Sequence, residues 1–186
     1  MIEINQQHIR RIETLILNDP FRVDVLRAVR TLDLPQGFVA AGFVRNLIWD
    51  HLHRKDTSSS LNDIDVVYFD AAEQCDDQHQ YYERVLLAAM PDVNWQVRNQ
   101  ARMHIKNQDK PYQNVQDAMS YWPEKETAIA VRLTSAGNID CITAFDLSTL
   151  FALQITHNPR RDKLIFEQRV NSKNWLTRWP RLTVND

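Results

Sequence analysis

Two short stretches of the chain decide which fold we expect. Residues 40–46 are Ala-Ala-Gly-Phe-Val-Arg-Asn, and residues 62–67 are Asn-Asp-Ile-Asp-Val-Val. The first follows an apolar run typical of a buried strand, which ends at Gly42 where a helix begins. The second carries Asp63 and Asp65 into a strand rich in β-branched residues. The order strand, glycine turn, helix and acidic strand indicates an α+β protein with a mixed sheet flanked by helices.

The two aspartates are the candidate catalytic and metal-binding residues. Residues two apart on a strand point the same way, so Asp63 and Asp65 are expected to face one site. Carboxylates placed together repel each other, and a bound Mg²⁺ or Mn²⁺ ion removes that repulsion through oxygen ligands. Two such ions can hold both oxygens of an in-line phosphoryl displacement. The alternative is an ordinary solvated strand end, where Asp-x-Asp triplets are also common.

The glycine turn is the candidate phosphate site. Backbone amides at a helix N-terminus receive phosphate oxygens, and a side chain at this position would crowd them. Ala41 and Gly42 are therefore predicted to bind phosphate. Arg45 lies one turn into the helix, where it either approaches the phosphates or orients one of the aspartates.

Hydrophobic periodicity organises the rest of the chain. We expect residues 1–36 to form an N-terminal helical segment, residues 37–156 the core, and residues 157–186 a helical tail packed on the same domain. Trp175 and Trp179 are expected to dock that tail, and the polar run from Lys55 to Ser60 predicts a flexible loop. Further strands are predicted over residues 64–69, 93–97, 127–133 and 139–142, and the last two should form a hairpin at the sheet edge. Further helices are predicted over residues 80–90 and 147–155. Asp146 is the expected N-cap of the second of these helices.

Composition excludes several classes of protein. Three glycines are too few and too scattered for a Rossmann fingerprint or a Walker loop. Two distant cysteines have no zinc or redox spacing, which is typical of a reduced cytoplasmic protein. No apolar stretch is long enough for a membrane span. The net charge of −2 disfavours a long polyanion as partner, so any phosphate binding must be local.

The order of these motifs resembles the head of the DNA polymerase β-like nucleotidyltransferases. It is most similar to CCA-adding enzymes and bacterial poly(A) polymerases, in which a Gly-Gly turn leads into a Val-Arg-Asp helix and then an Asp-x-Asp strand. Residues 38–153 also resemble a bacterial nucleotidyltransferase-like family. That resemblance is carried by Arg45-Asn46, Asp63-Ile64-Asp65-Val66, Arg98-Asn99-Gln100-Ala101-Arg102 and Lys110-Pro111-Tyr112.

The resemblance implies transfer of a nucleotidyl group from a nucleoside triphosphate to an acceptor hydroxyl, with Mg²⁺ or Mn²⁺ as cofactor. Three features depart from the pattern. Ala41 replaces the first glycine of the turn and the bulky Phe43 follows Gly42, and the gap between Gly42 and Asp63 is longer than usual. Gln96 stands where the superfamily places a third catalytic acid. A neutral amide ligates metal weakly and cannot take the acceptor's proton. If Gln96 does not face the site, Glu126 and Asp140 are the next candidates for the missing acid.

Several other residues have two interpretations. Arg98 and Arg102 lie near Gln96, where they either bind triphosphate oxygens or form structural salt bridges. Lys110 and Tyr112 either contact the base or acceptor or belong to a surface loop. The histidines are interpreted as structural.

Three functions remain open at this level. The first is a nucleotidyltransferase, for which a small-molecule or protein acceptor is favoured over a long nucleic acid. The second is a catalytically weak or inactive nucleotide-binding or sensing protein, because Gln96 is neutral. The third is a toxin–antitoxin-type interaction partner that uses the helical tail as its contact surface.

Overall fold

A computed structural model describes residues 2–185 of the chain. The helices are α1 (Ile2–Leu17), α2 (Pro20–Arg30), α3 (Gly42–Leu52), α4 (Gln78–Ala89), α5 (Gln100–Asn107), α6 (Val115–Met119), α7 (Ser148–Phe151), α8 (Lys163–Ser172) and α9 (Trp175–Arg178). The strands are β1 (Phe38–Ala40), β2 (Ile64–Tyr68), β3 (Trp95–Asn99), β4 (Ile129–Leu133), β5 (Ile139–Thr143), β6 (Gln154–Thr156) and β7 (Thr183–Asn185). Within these residues, no helix is both long and apolar enough to cross a membrane.

Five strands form a mixed sheet in the order β3-β2-β1-β4-β5, which confirms the predicted α+β architecture. Strands β2 and β3 are parallel, and the other pairs are antiparallel. The predicted hairpin is β4 and β5, and it lies at the sheet edge as expected. The register places Asp65 opposite Ala40 on one side and opposite Gln96 on the other. Three predicted site segments therefore meet on neighbouring strands.

Both faces of this sheet are covered. The larger apolar cluster joins the N-terminal helices to the sheet, α3 and the tail, and it includes the buried Ile12, Leu26 and Trp49. A smaller cluster on other sheet residues includes Phe38 and Met119. Alternation along each strand explains the two clusters, because successive side chains point to opposite faces.

The tail is docked onto this core, as its tryptophans predicted. Trp175 and Trp179 are only 3% and 0% exposed. Both rings contact Trp49 edge to face, with centroid separations of 5.9 and 5.1 Å. Trp179 also donates from Nε1 to the buried Asp50 carboxylate at 2.8 Å. The same carboxylate accepts from the backbone N and Oγ of Ser59 at 2.7 and 2.6 Å, so one end of the 55–60 loop is anchored.

The helix predicted over residues 147–155 is wrong. Only Ser148–Phe151 is helical, and β6 follows after Leu153 adopts a positive φ of 58°. The predicted cap is also wrong, because Leu147 occupies the cap position while Asp146 accepts a hydrogen bond from the Ser148 amide. Strand β6 then pairs in parallel with β7 at the end of the tail. The apolar spacing of residues 147–155 is compatible both with one continuous helix and with a helical turn followed by a half-buried strand. The pairing with the distant strand β7 selects the second arrangement.

Candidate functional site

A cavity of about 490 Å³ opens beside β2 and β3. Its walls come from the turn before α3, from the ends of the two strands, from α5 and from the tail. The lining side chains predicted from the sequence are Ala41, Gly42, Arg45, Asp63, Asp65, Gln96 and Arg98. Those not singled out as site residues include Asn46, Gln100, Met103, Lys106, Asn107, Trp122, Thr127, Arg169, Lys173, Trp175 and Arg178.

The two aspartates and Gln96 line the same cavity. Asp63 immediately precedes β2 and Asp65 lies within it, so both carboxylates share a side of the strand. Gln96 lies opposite Asp65 in the parallel register and donates from Nε2 to Asp63 Oδ2 at 3.1 Å. The position where a third acid was expected is therefore occupied by an amide hydrogen-bonded to an aspartate.

The Asp65 carboxyl lies where its ionised form is electrostatically unfavourable. Burial, followed by the negative charge of Asp63, raises its pKa to about 6, against the smaller opposing effect of Arg45. A divalent cation would relieve both effects, because it restores favourable interactions to a desolvated carboxylate and neutralises the repulsion. Among residues 2–185 no group of three or more His, Cys, Asp or Glu side chains is arranged to hold a metal. Two carboxylates fit a Mg²⁺ ion whose other ligands are phosphate and water.

The turn between β1 and α3 has an unusual backbone. Ala41 has φ 56° and ψ −121°, a region that L residues rarely adopt. Its carbonyl accepts from the amides of Val44 and Arg45 at 3.2 and 3.0 Å, which starts the helix one residue later. The amides of Gly42 and Phe43, at the first positions of α3, have no carbonyl within the helix to receive them. Of the two, Gly42 lines the cavity, so its amide is the candidate phosphate donor.

Packing does not require glycine at position 42. A Cβ there would lie 3.5 Å from Arg45 Nη2 and from Asn46 Nδ2, which is ordinary contact. Gly42 also has no positive φ. Gly42 nevertheless lines the cavity, where its backbone can be reached by a ligand.

Arg45 is a fixed positive charge in the cavity wall. It is 6% exposed, and its guanidinium donates to Thr127 Oγ1 at 2.6 Å and to Asn46 Oδ1 at 3.0 Å. Trp49 and Trp175 lie against the same group, at 4.8 and 4.5 Å from their centroids. Burial lowers its pKa to about 10, which leaves it protonated at neutral pH. It makes no hydrogen bond to either aspartate, so its influence on Asp65 acts through space.

The other predicted arginines are engaged with acids. Arg98 lines the cavity while it pairs with Glu83 at 2.7 Å. Arg102 is paired with Asp76, donates to the Glu73 carbonyl at 2.5 Å, and does not line the cavity. The structure thus brings Arg98 to the site and leaves Arg102 in a salt bridge outside it.

The two reserve acids are also outside the cavity. Glu126 is buried and accepts from the Thr156 amide at 2.8 Å. Asp140 pairs with Arg132 at 2.6 Å on the hairpin. Neither residue lines the cavity that contains Asp63 and Asp65.

Most of the positive charge in the cavity was missed by the sequence interpretation. Its lining contains six Lys or Arg side chains and two Asp side chains, although the whole chain has a net charge of −2. The cations not predicted for the site are Lys106, Arg169, Lys173 and Arg178. The four-residue spacing of Arg169 and Lys173 indicates one helix face, but only the docking of the tail brings that face to the site.

A mixed sheet with this glycine turn and acidic strand defines a nucleotidyltransferase-type head. Comparison with known families agrees. A family described as nucleotidyltransferase matches residues 27–184, and the chain belongs to this nucleotidyltransferase family. Its members' general activity is nucleotidyl transfer, and the resemblance stated from the sequence is confirmed.

A solved structure described by the words "The NMR structure of the protein reveals a CCA-adding enzyme head domain" is similar over nearly the whole chain. The alignment covers 95% of each chain, with a TM-score of 0.83 and 27% sequence identity. A search of curated proteins gave no match.

Proposed function

We propose that the protein transfers a nucleotidyl group from a nucleoside triphosphate to an acceptor hydroxyl, with pyrophosphate as the leaving group. The observation that carries this proposal is the composition of one cavity. It combines two adjacent carboxylates, a helix-initiating turn and an excess of cations, which are the three features that a metal-bound triphosphate needs.

Each group has a part in this reaction. The Gly42 amide holds phosphate oxygens, and the fixed charge of Arg45 and the guanidinium of Arg98 add positive potential. Asp63 and Asp65 would hold Mg²⁺ or Mn²⁺ against the triphosphate. When bound, such an ion neutralises phosphate charge and stabilises the charge that develops during in-line displacement. Gln96 holds Asp63 in place through its amide.

The acceptor is proposed to be a small molecule or a protein rather than a long nucleic acid. The lining of the cavity has an excess of positive over negative side chains, while the chain as a whole is slightly acidic. Long polyanions need an extended basic surface. We place the activity in the cytoplasm, where nucleoside triphosphates are available.

A second candidate is nucleotide binding without turnover. It is favoured by Gln96, because the amide cannot take the proton of an attacking hydroxyl and its Nε2 is already bonded to Asp63. The interaction-partner hypothesis loses support, since the tail that was to be its free contact surface is docked through two buried tryptophans and lines the cavity.

Calorimetry with nucleoside triphosphates and Mg²⁺, run beside a pyrophosphate-release assay, tests the proposal. Binding together with acceptor-dependent release is the expected result. Binding that is never accompanied by release across a panel of small-molecule and protein acceptors favours the second candidate. Absence of nucleotide binding overturns both.

The phosphate turn is tested by Gly42→Ala. The fold has room for this methyl group, so melting should change little, while the methyl group occupies the space of an incoming phosphate. We expect triphosphate affinity to fall roughly tenfold or more, equivalent to about 1.4 kcal/mol. Gly137→Ala is the control, because φ at Gly137 is +83° and the change should lower stability without altering affinity. Unchanged affinity in Gly42→Ala would remove the turn from the site.

A further inference from the structure

One wall of the cavity differs in chemistry from the rest. It consists of Gln100, Met103 and Asn107 from α5, together with Trp122 and Pro123. The three α5 residues are spaced three and four apart, so they share one face of the helix. Trp122 is half-buried, which leaves part of its indole accessible. Lys106 of the same helix also lines the cavity, and the sulfur, indole and amide groups beside it suit a planar ring better than a phosphate.

The Asn107 amide has a defined orientation. Tyr112 donates its hydroxyl proton to the Asp109 carboxylate, so the hydroxyl oxygen is left to accept. It accepts from Asn107 Nδ2 at 3.2 Å and from Arg161 Nη2 at 3.3 Å. Arg161 in turn pairs with Asp109, at 3.0 Å between Nη1 and Oδ1. One hydrogen of the Asn107 amide nitrogen therefore bonds Tyr112, which fixes the orientation of the amide, and its Oδ1 is an acceptor with no hydrogen-bond donor among residues 2–185.

We propose that this wall is the nucleobase subsite, an inference that rests on the proposed function. Trp122 and Met103 pack against the base, and Asn107 Oδ1 accepts a hydrogen bond from an exocyclic amino group. A base with a carbonyl oxygen in that place would bring a second acceptor next to Asn107 Oδ1, with no hydrogen available for a bond between the two oxygens. The subsite therefore favours adenine over hypoxanthine and cytosine over uracil.

This proposal gives Tyr112 a role that was left open by the sequence. Its side chain is 6% exposed, so it does not itself present a contact to a ligand. Tyr112 is a positioning residue, because its hydroxyl fixes which end of the Asn107 amide is directed away from the network. Asp109 and Arg161 hold that hydroxyl, which connects the tail to base selection.

The experiment compares ligands that differ only in the group at issue. Affinities of the intact protein for ATP, ITP, CTP, UTP and inorganic tripolyphosphate are measured in Mg²⁺. ITP and UTP carry a carbonyl oxygen where ATP and CTP carry an amino group. We expect ATP to bind roughly tenfold more tightly than ITP, or CTP roughly tenfold more tightly than UTP. This is the difference expected when one ligand forms a hydrogen bond with Asn107 Oδ1 and the other leaves that acceptor without a donor. Tripolyphosphate should bind regardless of the base subsite.

Three substitutions separate the contributions. Asn107→Leu should bring the amino-to-carbonyl affinity ratio close to one, and Tyr112→Phe should lower it, both with tripolyphosphate affinity retained. Trp122→Ala should weaken both members of a pair equally, by roughly tenfold or more, because stacking tolerates any base. Ile105→Ala is the matched control, since Ile105 lies on the same helix, is 71% exposed and does not line the cavity.

The outcomes distinguish the two proposals. Tripolyphosphate binding with equal affinities in both nucleotide pairs overturns the base subsite alone. An unchanged affinity ratio in Asn107→Leu does the same, and it requires only that the variant bind tripolyphosphate normally. If neither nucleotides nor tripolyphosphate bind, the proposed function fails and the subsite fails with it.

Discussion

At the scale of single residues, Ala41 holds a conformation that would suit glycine. Its φ of 56° with ψ of −121° places Cβ close to the backbone, at a cost of about 1–3 kcal/mol. The surrounding hydrogen bonds enforce it, because Ala41 donates to Ile129 and its carbonyl receives two helix amides. Strain of this kind often lies at ligand-binding turns, which fits a phosphate site at the start of α3.

Ala41→Gly is therefore expected to stabilise the protein. Removal of Cβ relieves the strain, but the greater backbone entropy that glycine loses on folding offsets about 0.5–1 kcal/mol of this gain. The free energy of unfolding, measured by chemical denaturation, should therefore rise by roughly 1 kcal/mol. Ala40→Gly is the control, because Ala40 is a fully buried residue of β1 without a positive φ and the change should destabilise. Loss of stability in Ala41→Gly would show that the turn is unstrained.

Asp65 is the second residue whose environment is unfavourable for stability. Its pKa in the folded protein is raised to about 6 from 3.8, so the native state binds the proton more tightly than the unfolded chain. The free energy of unfolding from this group should therefore decrease as the pH rises from about 4 to about 6, and stay at its lower value above that range. We predict that Asp65→Asn melts higher than the wild type at pH 7 without metal, by an amount equivalent to roughly 1–3 kcal/mol.

Mg²⁺ and nucleotide should reverse this order. They are expected to stabilise the wild type through Asp65 and to add little to the variant, since binding stabilises only the state that binds. Asp140→Asn serves as the control, because that carboxylate pairs with Arg132 at the surface and its loss should change stability by about 0.5 kcal/mol or less. Metal-dependent nucleotide binding that survives Asp65→Asn would show that the acidic strand has been assigned the wrong role.

At the scale of elements, the parallel pairing of β2 and β3 decides what Gln96 faces. The register sets it opposite Asp65, and its amide reaches Asp63 at 3.1 Å. Because alternate residues of β3 point into the core, Trp95 and Val97 fix this orientation. One polar position of β3 is thereby directed at the acids of β2.

Gln96→Glu should convert this position into a third carboxylate. It supplies a base for the acceptor's proton, and general-base assistance is typically worth about 10²–10⁴-fold, so pyrophosphate release should rise well above assay noise. The hydrogen bond to Asp63 is replaced by repulsion, so melting should fall in chelator and recover with Mg²⁺ and nucleotide. No change in release or in metal-dependent melting would indicate that Gln96 has no part in the chemistry.

At the scale of the whole molecule, the tail completes both the core and the cavity. Trp179 lies in the main apolar cluster and bonds Asp50, which also holds Ser59. Arg169 pairs with the buried Glu124 at 2.5 Å and lines the cavity. Loss of tail packing should therefore disturb stability and ligand binding together.

Trp179→Ala is predicted to destabilise by about 3–5 kcal/mol, as expected for removal of a fully buried tryptophan. Amide exchange should also increase in the 55–60 loop, because Asp50 loses one of its partners. Leu176→Ala is the control on the same tail, since Leu176 is 42% exposed and its loss should cost little. A Trp179→Ala protein as stable as the wild type would mean that the tail is not part of the folded core.

The sequence by itself determined the local features of this protein. Strand and helix patterns around Gly42 and Asp65 gave the sheet, the edge hairpin and the acidic strand, because burial on one face imposes a period on the residues. They also indicated the family, since the glycine turn and the Asp-x-Asp strand follow each other in the order of its motif. The roles of the predicted site residues remain predictions to be tested by the substitutions above.

The tertiary structure alone decided which distant groups share the cavity. Residues 147–155 satisfied a helical pattern, yet β6 forms there because β7 lies alongside it. Short helix α5 escaped prediction because its apolar residues are few, although it supplies one wall of the site. Arg102 and Arg169 are both arginines with acidic partners, and only docking places one outside the cavity and the other within it. Long-range packing, which no local pattern encodes, made that distinction.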